Sequence, residues 1–298
     1  MISEDDMKSY LKNIILLCMF LFAYAAHAQE NSDLNGTSCV PVKGVKEDQL
    51  AFKAGEKMEF LLHYQWGRVN TDVGSATVSL DTLRYNGDKA FLCTATGRTT
   101  RMFDYVFKVR EDFKSWFTTD GLVPLKFTRD TYEGGYVAKN TYYYNRYTSE
   151  PHIIAEVYSS KRGHRYMELP LTRCTFDLPA LFYFARNMDF DSVEPGRKYP
   201  MTFAIDDDVF NVYFILHGRE TIKVKGFGTV KTIKFAAKLL EGEVFKGEED
   251  MLIWVTDDEN RLPVFFEAPL IVGVATGRLT AVEGLKHPFT SLVEDKRK

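Results

Sequence analysis

Polar and apolar residues alternate along most of this chain. Phe60, Leu62, Tyr64 and Trp66 fall on one side of an extended segment, with Glu59, Leu61, His63 and Gln65 on the other. Ala76, Val78 and Leu80 alternate in the same way with Ser75, Thr77, Ser79 and Asp81. A period of two over this length predicts half-buried antiparallel strands. Gly67 to Gly74 and Asn86-Gly87-Asp88 supply turns, the second a strong hairpin signal. Further strands are predicted over 91–97, 105–117, 124–132, 137–147 and 153–159. After a break they resume over 198–205, 209–217, 220–225, 229–240, 245–256, 262–270 and 274–282. The break is a single helical stretch. Leu178, Leu181, Phe182 and Ala185 recur at helical spacing, Asp177 stands where a cap belongs, and Pro179 sits in the first turn. This helix should stop near Asn187.

One stretch occurs twice. Phe107-Lys108-x-x-Glu111-Asp112-x-x-x-Trp116-x-Thr118-x-Asp120 matches Phe245-Lys246-x-x-Glu249-Asp250-x-x-x-Trp254-x-Thr256-x-Asp258 without a gap. Each copy then turns and meets a proline, Pro124 or Pro263, that opens another apolar strand. Gly55-x-Lys57 and Gly196-x-Lys198 precede the two tryptophans at similar distances. A duplication explains this better than two independently similar hairpins. The expected fold is all-β and mostly antiparallel, two related curved sheets or half-barrels joined through one short α-helix. Whether they share one core or form two lobes stays open. The divisions expected are a signal peptide over 1–28, a flexible leader over 29–49, a first β half over 50–176, a connecting helix over 177–187, a second β half over 188–290 and a charged, fraying tail over 291–298.

The amino terminus sets the compartment. Lys8 and Lys12 precede an apolar run from Ile14 to Ala25, and Ala26-His27-Ala28 offers small residues where a signal peptidase reads. The run is short of the ~20 residues a membrane span needs, and no lipid-accepting cysteine stands at the cleavage site. The expectation is export, periplasmic or beyond, with cleavage near Ala28 and no membrane span afterwards. Cys39, Cys93 and Cys174 would remain, so at most one intramolecular disulfide forms. Cys39 falls in the leader; Cys93 and Cys174 are expected either reduced and buried or joined to each other. A formal net charge of −3 from interspersed signs, with no basic stripe, disfavours nucleic acid and anionic membranes as partners.

Sites of chemistry are sparse. His63, His152, His164, His217 and His287 are scattered singly and no cysteine pair has zinc spacing, so neither a metal site nor a cofactor is expected. Gly226-Phe227-Gly228 reads as a hairpin turn rather than a phosphate loop. Asp206-Asp207-Asp208 and Asp257-Asp258-Glu259-Asn260 lack calcium-hand spacing and read as turns. Glu111 shares a strand face with Val109, Phe113 and Phe117, and Glu249 occupies the matching place in the second copy. Carboxylates on apolar faces can do acid–base work, which makes these two the catalytic candidates. A bulge that turns Glu111 outward, or an arginine partner, are the structural alternatives. Aromatic residues reach 14%. Trp66, Tyr105, Tyr132, Tyr142 and Tyr144 are the candidates for stacking on a glycan or lining a groove for an acyl chain.

Gly55-Glu56-x-x-x-Phe60, the helix from Asp177 to Arg186, and the hairpin from Trp254 and Asp258 to Pro263 follow one another in an order that resembles the DUF3108 family, exported bacterial proteins of unknown function. The resemblance implies an envelope protein with a β-rich fold and brings no catalytic residues with it. The leading reading is a non-enzymatic envelope protein binding an apolar or glycan ligand on a curved sheet. A carboxylate-dependent enzyme acting on an envelope polymer or lipid, and a scaffold for an envelope protein partner, are the alternatives. Amino-terminal sequencing of the protein purified from its own cells should begin at or next to Gln29. A chain still carrying Leu16 to Phe22 would contradict export by cleavage.

Overall fold

The computed structural model describes residues 40–237, 251–270 and 273–295. Its strands form one 16-stranded sheet. A first run holds β1 (Glu56–Trp66), β2 (Val69–Tyr85), β3 (Asp88–Thr99), β4 (Val109–Thr118), β5 (Pro124–Glu133), β6 (Tyr136–Asn145), β7 (His152–Ser159) and β8 (Gly163–Pro170). A second run holds β9 (Thr175–Phe176), β10 (Lys198–Ile205), β11 (Asp208–Val224), β12 (Gly228–Ala237), β13 (Met251–Thr256), β14 (Pro263–Pro269) and β15 (Val274–Glu283). Within each run, strands adjacent in sequence are adjacent in the sheet, and β1 pairs antiparallel with β15 to join the runs. A last strand, β16 (Leu292–Asp295), pairs with β12. Among the described residues two α-helices accompany the sheet: α1 (Arg101–Phe107) between β3 and β4, and α2 (Leu178–Ala185) between β9 and β10.

Alternation decides which face is inside. Along β4, Val109, Glu111, Phe113, Ser115 and Phe117 are buried and the residues between them are not. Helix α2 packs on that inner face. Asp177 caps it by accepting from the Ala180 N–H at 2.9 Å, and Leu178, Ala180, Leu181, Tyr183 and Phe184 are all buried. A helix apolar nearly all round has no wet side to present, so it fills the interior. The Tyr183 ring meets Phe52 at 4.6 Å and Phe117 at 6.0 Å. One core takes Met58, Leu80 and Phe91 from the first run and Met201, Phe214, Ile233 and Val255 from the second. The two halves are curved portions of one sheet around a shared core.

The hairpins ending in the repeated tryptophans match in detail. Trp116 pairs with Lys126 and Phe117 with Pro124, with a bulge between; Trp254 pairs with Phe265 and Val255 with Pro263, again with a bulge. The Thr118 N–H donates to the Val123 carbonyl at 3.0 Å while the Thr118 hydroxyl accepts from the Val123 N–H at 3.0 Å. Thr256 and Leu262 repeat both bonds at 2.9 and 2.8 Å. Leu122 and Arg261, each two residues before the proline, hold φ of 52° and 47°. Gly55 and Gly196 also correspond: both have positive φ, and each donates its N–H to a carbonyl of the following strand pair, that of Leu80 or Leu216. Shared hydrogen bonds and shared strain at matched offsets support the duplication beyond composition.

Several local expectations change. Residues 101–107 form α1 rather than the start of a strand, because Phe103 and Phe107, four apart, bury on one side and Asp104 is held by Arg110. A second helix therefore joins the one expected. Residues 40–49, expected to be loose, are tied down: Val42 bridges Met188, the Lys43 N–H reaches the Asn187 carbonyl, and Val40 is buried. The β2 strand starts at Val69, so the turn is only Gly67-Arg68. Strand β8 lacks clear alternation and was not expected. The tail is ordered through Asp295, since Ser291 is buried and donates to Asp258 at 2.8 Å. Cys174 is disulfide-bonded while Cys93 is free and buried, so these two are not joined and Cys174 is not reduced. Cys39, the signal segment, and the Phe245 to Asp250 part of the second copy lie outside the described residues.

The tryptophans are equivalent in place and unequal in burial. Trp254 is 7% exposed, donates to Glu220 at 2.7 Å and packs on Phe265. Trp116 is half-buried with Lys126 over its ring. Trp254→Ala should cost ~3–5 kcal/mol in urea melts, and Trp116→Ala roughly a third of that, since little is excavated. Equal losses would show that the outer face of the first copy is packed as tightly as the second.

Candidate functional site

The five aromatic candidates are not brought together. Tyr142 and Tyr144 lie on the inner face of β6 and are buried. Tyr132 is on the outer face of β5, and Tyr105 stands 93% exposed on α1. Trp66, at the end of β1, packs against the cluster around Phe103 and Phe107. Even spacing along separate strands says nothing about which face each strand turns inward, and α1 removes Tyr105 from the sheet.

Glu111 does face inward, with regular pairing on both sides of it and no bulge at Glu111-Asp112. Its neighbours come from β5 and from the β10–β11 turn. The Thr131 hydroxyl donates to Glu111 at 2.5 Å. The Arg129 guanidinium donates to Thr131 at 2.8 Å and to Asp206 at 2.7 Å, and lies 3.8 Å from Glu133. Asn140 donates to Asp206 at 3.1 Å, and the Tyr142 hydroxyl donates to the Asp206 carbonyl at 2.9 Å. Burial pushes both the Glu111 and Glu133 carboxyls up, and for Glu133 the adjacent Glu111 charge pushes further in the same direction. Burial works against the charge of Arg129, but Asp206, Glu111 and Glu133 outweigh it. At neutral pH the cluster therefore retains a proton on the glutamate pair. The partner of Glu111 is Glu133, with Arg129 between charges; Glu249 lies outside the described residues. Exposures of 6% for Glu111 and 2% for Glu133 leave no route for a substrate to either carboxyl.

Above this cluster, on the outer face of β4 to β8, lies a groove of about 730 Å³. Arg129 and Asn140 line it from beneath, so the buried network supports its floor. Outward side chains at successive strands supply the walls. Asp112 pairs with Lys114 at 3.3 Å and Asp130 with Lys139 at 3.0 Å. Thr128 and Thr141 add hydroxyls. Tyr158 and His164 stack with ring centroids 4.6 Å apart, and Tyr166 beside them is 75% exposed. Rings, hydroxyls and paired charges on one rigid face suit a ligand with many hydroxyl groups. None of these aromatics was singled out from the sequence; the lack of pattern in 163–170 concealed the strand that carries two of them. Among the described residues no group of three or more His, Cys, Asp or Glu side chains is arranged to hold a metal ion, and no helix is long and apolar enough to cross a membrane.

The sequence profile of a family described as a protein of unknown function, DUF3108, matches residues 59–280. No curated protein matches the chain in sequence. Among solved structures, a β-barrel-like protein of a domain of unknown function, DUF1849, from Brucella abortus is similar with a TM-score of 0.51 at 11% identity, covering 82% of this chain and 100% of that one. A protein from Parabacteroides distasonis described as a presumed lipoprotein aligns over 79% of this chain and 99% of its own at 10% identity, with a TM-score of 0.26. The first supports a barrel-like curvature; the second is too distant to carry an argument.

The glutamate pair gives a pH signature. Above the ordinary glutamate pKa of 4.5 the unfolded chain releases a proton that the folded pair keeps. Stability then falls by ~1.4 kcal/mol per pH unit for each retained proton. Glu133→Gln should flatten the decline between about pH 5 and pH 8 and leave the variant at least ~1 kcal/mol more stable than wild type at the upper end. A variant that is less stable at every pH would show that Glu133 is charged and needed as a partner of Arg129.

Proposed function

Because the chain belongs to the DUF3108 family, whose function is unknown, its role is read from its own surface, and we propose that it is an exported, non-enzymatic envelope protein that binds a glycan in the groove across β4 to β8. The composition of the groove carries this reading: stacked and exposed aromatic rings beside threonine hydroxyls and ion pairs. Aromatic faces take the apolar faces of sugar rings, while the polar neighbours take the hydroxyls. An acyl chain fits this surface poorly, and the inner face is occupied by α2 and the core. Catalysis through Glu111 is disfavoured by its enclosure with Thr131, Arg129 and Glu133. Export rests on the amino-terminal pattern of cations, a short apolar run and Ala-x-Ala.

The test is a glycan array followed by calorimetry on the mature chain. Tyr166→Ala and Tyr158→Ala should each weaken the selected glycan by about tenfold, ~1.4 kcal/mol, with the melting temperature unchanged. Binding that survives both substitutions, or an array with no selected glycan, contradicts the assignment.

A further inference from the structure

The connection from β1 to β2, helix α1, and the β5–β6 turn all lie at one end of the sheet. Trp66 packs with Phe103 and Phe107 of α1, and the Gly134 N–H donates to the Lys108 carbonyl at 2.9 Å. Gly134 leaves no room for a side chain, since a Cβ there would strike the Phe107 ring. Helix α1 is therefore pinned by Phe103 and Phe107, and its other side is bare. Met102 is 66% exposed, Tyr105 93% and Val106 46%. Val69 and Tyr132 extend the same end, so it carries five of the nine large apolar side chains exposed among the described residues.

Cations predominate around these side chains. Arg68, Arg101 and Lys108 are exposed, with Lys108 over the Tyr132 ring at 5.5 Å. The acid on α1, Asp104, is neutralised by a two-pronged pair with Arg110 at 2.6 and 2.9 Å and accepts a hydrogen bond from the Thr99 hydroxyl at 2.5 Å. Asp72 on β2, half exposed and bonded to His63 at 2.8 Å, is an acid among these three cations. Exposed apolar and tyrosine side chains ringed by cations are the composition of a surface that rests in the headgroup region of an anionic bilayer. We propose that α1 and the β1–β2 turn dock the protein on an anionic lipid surface. The cations come from separate parts of the chain, which is why no basic stripe is visible in the sequence.

Sedimentation of the mature chain with vesicles tests this independently of the groove. Binding to phosphatidylcholine vesicles containing phosphatidylglycerol is expected, with little binding to phosphatidylcholine alone and release by added salt. Arg101→Glu with Lys108→Glu, and separately Met102→Ser with Tyr105→Ser, should each lower binding by on the order of tenfold. Melting temperatures should not move, because these side chains are exposed, and Tyr166→Ala should bind vesicles as wild type does. Equal binding to both vesicle types, no binding, or indifference to both double substitutions overturns the proposal. So does a wild-type dimer that Met102→Ser with Tyr105→Ser dissolves, which would assign the surface to a second copy of the chain.

Discussion

A buried cation at the end of α2 joins the helix to both runs of the sheet. The Arg186 guanidinium, at the end of α2, grips both oxygens of Glu56 at the start of β1. It also donates to the Asn260 carbonyl in the β13–β14 turn at 2.9 Å. Phe52 and Tyr183 cover its faces at 5.2 and 5.4 Å. A charge in such a place costs several kcal/mol of desolvation, and only complete pairing offsets it. Apolar packing alone would let α2 slide over an inner face lined with similar aromatic rings. The pairing fixes one position, in which the helix, the first run and the second run each supply a partner.

The far margin of the sheet faces the same difficulty with different groups. Strands β8 and β11 approach without forming a ladder. The β10–β11 turn bridges the gap with charge: Asp206 holds Arg129 and Asn140, while Asp207 holds Arg162 at 2.8 Å and Arg165 at 2.6 Å. Leu169 of β8 meets Ala204 and Val209 of the second run in a small apolar cluster. The turn that closes the curved sheet therefore also anchors the network beneath the groove. A face built on strands supported in this way keeps its geometry better than one on loops.

Much of this was legible in the alternation of polar and apolar residues. The strands, the α2 helix with its Asp177 cap, and the repeated tryptophan hairpin follow from periodicity and turn chemistry, which are local. The α1 helix was hidden because Tyr105, Phe107 and Val109 alternate as a strand would, while the contact that decides, Phe107 against Gly134, is distant in sequence. The partner of Glu111 was hidden for the same reason. Its echo pointed to Glu249, whereas the register of β4 with β5 brings Thr131 opposite and Glu133 close. The groove was least legible, since side chains from five strands meet there only once register and facing are both set. Of the acidic run 206–208, Asp206 and Asp207 form the turn and Asp208 opens β11; the pairing of Asp206 with a buried arginine follows only from the fold.

On the proposed function, a glycan meets the outer groove rather than the packed interior. Native mass spectrometry of the chain purified from its own envelope fraction tests that most directly. The expected result is a retained mass that fragments as hexose or amino-sugar units and is lost from Tyr166→Ala. A retained fatty-acyl mass that persists in Tyr166→Ala would contradict it and place the ligand inside the sheet.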